Sequence, residues 1–161
     1  MNKHKFFIAG LSVLLFAASC KKMDVQPAPE KQNVATASDW KTAADWTSSK
    51  EEKYTVNSSK FQDNAISSAV IENGLVLVYM KNASVTEALP SQQKDIYWYY
   101  QVSEKTIEIN ADVYGTDELD NKTNFKYFVL TEDKLKTLEE QGHSKSELMA
   151  LTYENAASLL K

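Results

Sequence analysis

Carboxylates and tyrosines are the side chains through which this sequence could do chemistry, because thiols and imidazoles are scarce. Past the first twenty residues there is one histidine, His143, and the single cysteine is Cys20. A nucleophile of the Ser-His or Cys-His kind needs an imidazole held against it. His143 follows Gly142 in an expected loop between helices and reads more plainly as a surface histidine. Zinc held by histidine and cysteine is excluded for want of ligands. Glu108 and Asp112 share the outer side of an expected strand, about 13 Å apart by the strand rise, which exceeds glycosidase spacing and favours a solvated face. Asp117, Glu118 and Asp120 crowd one loop and could hold calcium with Asn121 or a carbonyl. The EF-hand pattern is missing, and a soluble acidic loop accounts for them more simply. No cofactor is expected.

Aromatic residues offer binding in place of catalysis. In the run from Ile96 to Val102, alternation puts Ile96, Trp98, Tyr100 and Val102 on one side and Tyr97 and Tyr99 on the other. Exposed rings there could stack on sugars or on a partner. The weightier alternative buries both sides. Trp40 and Trp46, six residues apart, read first as a plug at one end of the core and second as a ligand-stacking pair.

Cys20 has a different meaning. Lys3 and Lys5 precede an apolar stretch from Phe6 to Phe16 that is too short to span a bilayer, and Ala17-Ala18-Ser19 supplies small residues before the cysteine. The run Ala17-Ala18-Ser19-Cys20 resembles a bacterial lipobox, with Ala17 where leucine is usual. That resemblance implies a leader over residues 1–19, removed before Cys20, whose thiol receives diacylglycerol and whose new amino terminus is often acylated as well, commonly by palmitate. Each buried methylene contributes about 0.8 kcal/mol, so one chain holds marginally and two or three hold stably. With Cys20 modified no thiol remains for a disulfide, and the fold must rely on its core.

Charge narrows the partners. Losing Lys3 and Lys5 takes 18 basic side chains to 16 against 22 acidic ones, a net charge near −6. Nucleic acid is excluded on that balance, since binding it takes clustered basic charge. Every basic side chain is lysine, which disfavours bidentate capture of phosphate or carboxylate.

The elements that must position these residues fit a single domain over residues 39–161. Residues 20–38 read as the lipidated cysteine and a tether, with Pro27, Pro29 and no apolar period. As a coil it would span roughly 20–25 Å. Lys53 to Val56 suggests a short strand. Ile66, Ala69, Val70 and Ile71 suit one face of a short helix capped by Asp63 or Asn64 and stopped by a left-handed Gly74. Leu75 to Met80 is apolar at six successive positions, which predicts a central strand covered on both faces. Asn82 to Lys94 reads as a loop. Strands over 95–102 and 106–113 form a hairpin turning at Ser103-Glu104-Lys105, with Ile107, Ile109, Ala111 and Val113 inward. After the acidic loop, Phe125 to Leu130 is another strand. A helix then starts at Thr131 and stops at Gly142, Ser144 with Glu147 fits a capping box, and Thr152 opens a last helix with Ala156, Leu159 and Leu160 on its apolar side. The fold class expected is mainly β with α: an antiparallel β-sandwich, one short helix before the central strand, and C-terminal helices packed at an edge.

Taken together, several of these segments resemble an uncharacterised lipoprotein family of Bacteroidetes. They are the lipobox with Lys21-Lys22, Ser38-Asp39-Trp40, the stretch Ala65 to Tyr79, Leu89-Pro90, and Phe125 to Leu130. Some members carry collagen-like Gly-X-Y repeats between lipid and domain; here the glycines are Gly10, Gly74, Gly115 and Gly142 alone. The resemblance implies an outer-membrane lipoprotein with a β-sandwich domain and names no catalytic residue. Lys21 is not the aspartate associated with inner-membrane retention, and periplasmic and cell-surface orientations both remain open. The function expected is non-enzymatic binding or scaffolding in the envelope, with a glycan or an envelope protein as partner. The alternative is an envelope polysaccharide hydrolase using a carboxylate pair. Cys20→Ala should leave an unprocessed precursor that takes up no labelled fatty acid and leaves the membrane fraction on carbonate washing; normal labelling and sorting would refute the anchor.

Overall fold

The computed structural model describes residues 34–83, 85–116, 118–120 and 122–160. The expected leader, Cys20, the first part of the tether, Asp117 and Asn121 lie outside them. Along the described residues run β1 (Ala35–Ala37), β2 (Lys41–Thr42), β3 (Thr47–Lys50), β4 (Tyr54–Gln62), α1 (Ser68–Asn73) and β5 (Leu75–Lys81). Then come β6 (Thr86–Ala88), β7 (Ser91–Gln93), β8 (Ile96–Ser103), β9 (Thr106–Tyr114) and β10 (Asn124–Leu130). Three helices follow, α2 (Glu132–Glu140), α3 (Lys145–Met149) and α4 (Tyr153–Leu159).

The strands form two antiparallel sheets. In the first, β10 and β5 pair over their whole length, β6 extends β5, and β1 and β2 share the other edge of β10. The second runs β3-β4-β9-β8-β7. Between the sheets lies a core of Val76, Val78 and Met80 from β5, Phe125, Tyr127 and Val129 from β10, and Ile107, Ile109, Ala111, Trp98 and Phe61 from the second sheet. The protein is therefore a mainly antiparallel β-sandwich with short helices.

The first sheet has a second core behind it. Leu75, Leu77 and Tyr79 of β5 and Phe128 and Leu130 of β10 point away from the sandwich and pack with Leu135, Leu138, Leu148, Ala156 and Leu160. The helices thus cover a sheet face, where a place at an edge was expected. β5 and β10 are apolar at successive positions, so each has a second face to hide, and burying each leucine there is worth about 1.5–3 kcal/mol. Tyr79 shows how dry this layer is. Its ring meets the edges of Phe128 and Tyr153, its Oη donates to the Leu151 carbonyl at 3.2 Å, and burial pushes its phenol up to about 12. No helix among the described residues is long and apolar enough to cross a membrane.

Local details depart from expectation in four places. The tether ends sooner: Ala35–Ala37 pair with Leu130, Val129 and Phe128 through backbone bonds that ask nothing of the side chains. The span 82–94 is not all loop, since β6 adds to the first sheet and β7 to the second. The cis Leu89-Pro90 bond lies between them, and the Glu87 carboxylate accepts from Ser91 Oγ and Gln93 Nε2. Three-residue edge strands held by polar side chains carry no apolar period to read. Helix α1 is capped by Ser67, whose Oγ accepts from Val70 N at 3.3 Å, while Asp63 Oδ1 accepts from Ala65 N in the turn before it. Its expected face is half used: Ile66 and Val70 are buried and Ile71 is 44% exposed.

Gly74 is the fourth. Its φ of −96° and ψ of −156° are extended, not left-handed. What demands glycine is proximity, because a Cβ there would stand 2.4 Å from the Leu130 carbonyl and 2.9 Å from that of Val70. The helix leads straight into β5 beside the end of β10, and a methyl group would wedge the two strands apart. A left-handed glycine would tolerate asparagine. Here Gly74→Ala and Gly74→Asn should both destabilise by about 1–3 kcal/mol, read from urea unfolding midpoints at unchanged m-value.

Candidate functional site

Sheet geometry assembles the site. The first sheet is covered on both faces, whereas the second packs on the core with one face and turns the other to solvent. The alternation in β8 and β9 follows from that difference. On the outer face β8 presents Tyr97 and Tyr99, β9 presents Glu108, Asn110, Asp112 and Tyr114, and β4 presents Tyr54, Val56, Ser58 and Lys60. The register places Asp112 between Tyr97 on one side and Val56 on the other, and sets Tyr54 directly opposite Tyr114.

Four tyrosines thereby surround one carboxylate. Tyr97 and Tyr99 stack with centroids 5.6 Å apart at 26°, and Tyr54 and Tyr114 lie 5.1 Å apart at 36°. Tyr97 and Tyr99 thus form one aromatic patch and Tyr54 with Tyr114 a second. Tyr97 is 37% exposed and Tyr114 38%, so this side of β8 is not buried, contrary to the weightier expectation. Tyr99 Oη donates to Asp112 Oδ1 at 3.4 Å. Burial first, then the charge of Asp112 and the hydrogen bond to it, raise the Tyr99 phenol above its ordinary value. Burial also raises the Asp112 carboxyl above the usual carboxylate range, against the pull of the Tyr99 hydroxyl. Around them the face is fixed by polar pairs. Ser58 Oγ donates to Asn110 Oδ1 at 2.8 Å, and Lys60 stands 3.7 Å from Glu108. Such a surface can stack on and hydrogen-bond a flat, hydroxylated ligand.

The other sequence-level candidates fall elsewhere. Glu108 and Asp112 do share this face, with Glu108 beside Lys60. Glu118 and Asp120 line a hollow of about 480 Å³ together with Trp98 and Thr123. Asp120 serves its own turn there, accepting from Lys122 N at its carboxylate and from Thr123 N at its carbonyl. Among the described residues no group of three or more His, Cys, Asp or Glu side chains could hold a metal ion, and the expected fuller set with Asp117 and Asn121 lies partly outside them. His143 closes α2 through its backbone, donating to the Leu138 carbonyl. Trp40 and Trp46 do not form a pair: Trp40 packs on Tyr153 in the helical layer, and Trp46 on Trp98 in the sandwich core. They sit on opposite sides of the first sheet because β2 and the turn after it divide them.

Sequence reasoning found Tyr97 and Tyr99 and missed the other half. Tyr114 continues the outward series of Glu108, Asn110 and Asp112, a signal available by extending the alternation one step. That Tyr54 meets it depends on strand pairing, which periodicity does not reveal.

The sign of the Asp112 shift gives a stability test. A carboxyl raised by folding contributes its full stability below the unfolded carboxylate pKa and loses it as pH rises through the folded value. At pH 7 the ionised side chain therefore weighs against the fold. Asp112→Asn, whose amide oxygen can still accept from Tyr99, should melt at the same temperature as the parent or higher at pH 7, with the difference gone near pH 3; a clear loss at pH 7 would contradict the assignment. Comparison with known proteins finds no matching family model, no matching curated relative and no matching solved structure.

Proposed function

We propose that this protein is a lipid-anchored component of a bacterial outer membrane that binds a glycan of the cell envelope on the tyrosine face of its second sheet, without transforming it. The observation that carries the reading is the exposed placement of Tyr97 and Tyr114 beside Tyr99 and Tyr54 on a sheet whose opposite face is the protein core. A rigid sheet presents these rings at little entropic cost, and sugar rings match them in size and in their mixture of apolar faces and hydroxyl edges. The lipobox and the resemblance to Bacteroidetes lipoproteins support the anchor and the compartment.

A second reading, a hydrolase acting on envelope polysaccharide, is favoured by one feature, the joint position of Glu118 and Asp120 in the hollow beside Trp98. Two carboxyls flanking a cleft are what glycoside hydrolysis uses. The open tyrosine face offers no such cleft, and it is the more fully built of the two.

Tyr97→Ala combined with Tyr99→Ala should retain the circular dichroism of the parent and lose retention on immobilised envelope polysaccharides by about ten- to a hundredfold, the range of aromatic anchor residues. Unchanged retention across the panel would remove this face from consideration. Release of reducing ends, abolished by Glu118→Gln with Asp120→Asn, would establish the hydrolase instead.

A further inference from the structure

The face is asymmetric in charge, and that asymmetry bears on which glycan it takes. Asp112 sits at its centre, partly shielded by the surrounding tyrosines, and no described lysine stands within ion-pair distance of it. Lys60, the lysine of this face, is directed to Glu108 directly opposite it, four residues before Asp112 on β9. The faces of phenol rings are themselves regions of negative potential and attract cations. Hydroxyl groups of a neutral sugar could be met by Tyr99 and by Gln101, the next outward residue of β8, alone. A partly desolvated carboxylate among aromatic rings is a costly way to meet them, and it becomes favourable when the ligand brings a positive charge.

We propose that the tyrosine face selects a cationic glycan, one carrying free protonated amino sugars, with the ammonium group received by Asp112 and the sugar ring against the exposed rings of Tyr97 and Tyr114. This rests on the glycan-binding reading above and narrows it. Asp112 is then the main specificity-determining residue, and the tyrosines supply stacking affinity common to charged and neutral sugars, with a smaller preference for the cation from their ring faces. Its placement matches that role: Tyr97 and Val56 flank it across both neighbouring strands, Tyr114 follows two residues on, and the Tyr99 hydroxyl approaches the carboxylate from one side at 3.4 Å.

The test uses the full-length lipoprotein in detergent micelles at pH 6, retained on immobilised chitosan, chitin or cellulose, three polymers of one linkage differing at a single substituent. Retention on chitosan should exceed that on chitin by about tenfold, the worth of one charge-assisted hydrogen bond. Asp112→Asn should bring chitosan down nearly to the level of chitin and leave chitin unchanged, while Glu139→Gln, on the exposed side of α2 away from this face, should alter neither. Added salt should weaken the chitosan interaction selectively. Chitosan retention that survives Asp112→Asn would reflect the general negative charge of the chain and overturn the inference. Equal retention on all three polymers, lost in the Tyr97→Ala and Tyr99→Ala variant, would overturn it too but uphold glycan binding; retention on none would dismiss both. Competition against the parent protein by glucosamine oligomers and by N-acetylglucosamine oligomers reads the same preference without any variant, and equal potency of the two would count against it.

Discussion

Everything in this structure depends on the pairing of β5 with β10, seven residues against seven, with apolar side chains on both faces. Because neither strand has a solvent side, the pair must be enclosed, by the second sheet in front and the helices behind. The approach of Gly74 to the Leu130 carbonyl is set by the same requirement, since the chain enters β5 at the point where β10 ends. Lys145 adds a tie from the helical layer, donating to the Gly74 carbonyl at 3.1 Å. The junction of helix, strand and cover is thus one packed unit.

The second sheet inherits the opposite condition. It has a single partner, so one of its faces is free to be whatever its residues make it. Tyr100 joins the two sheets from the inside, its hydroxyl donating to the Val76 carbonyl at 2.8 Å, while its neighbours Tyr97 and Tyr99 stand outside. One strand therefore carries tyrosines with unlike duties, and alternation alone separates them. The nine-residue pairing of β4 with β9 carries the outer face on regular strands, a more precise support for a site than a loop.

How much of this could be read from the chain follows from the range of each interaction. The six apolar residues of β5, the hairpin of β8 and β9, the Ser144 and Glu147 capping box and the stop at Gly142 are written locally, and they are where the sequence placed them. The cap at Ser67 and the extended Gly74 were misread because their causes lie in neighbours distant along the chain or in competition among adjacent polar residues. Strands β1, β6 and β7 have too few side chains committed to the core to leave a period. The candidate site was half legible for the same reason: Tyr97 and Tyr99 follow from alternation within one strand, whereas Tyr54, Tyr114 and Asp112 become one surface only through a register spanning three.

Strand β1 has a mechanical side. It lies antiparallel to the last three residues of β10, flanked by two contacts of Ser38 with Tyr127 and by the hydrogen bonds between Val34 and Thr131. Bonds of this kind run across the strands, so tension drawn lengthwise along β1 loads them together in shear instead of opening them one at a time. Because β10 is enclosed on both faces, that load passes directly into the best-packed part of the molecule. Under such lengthwise tension, the short strand at the start of the described residues would serve as the clasp.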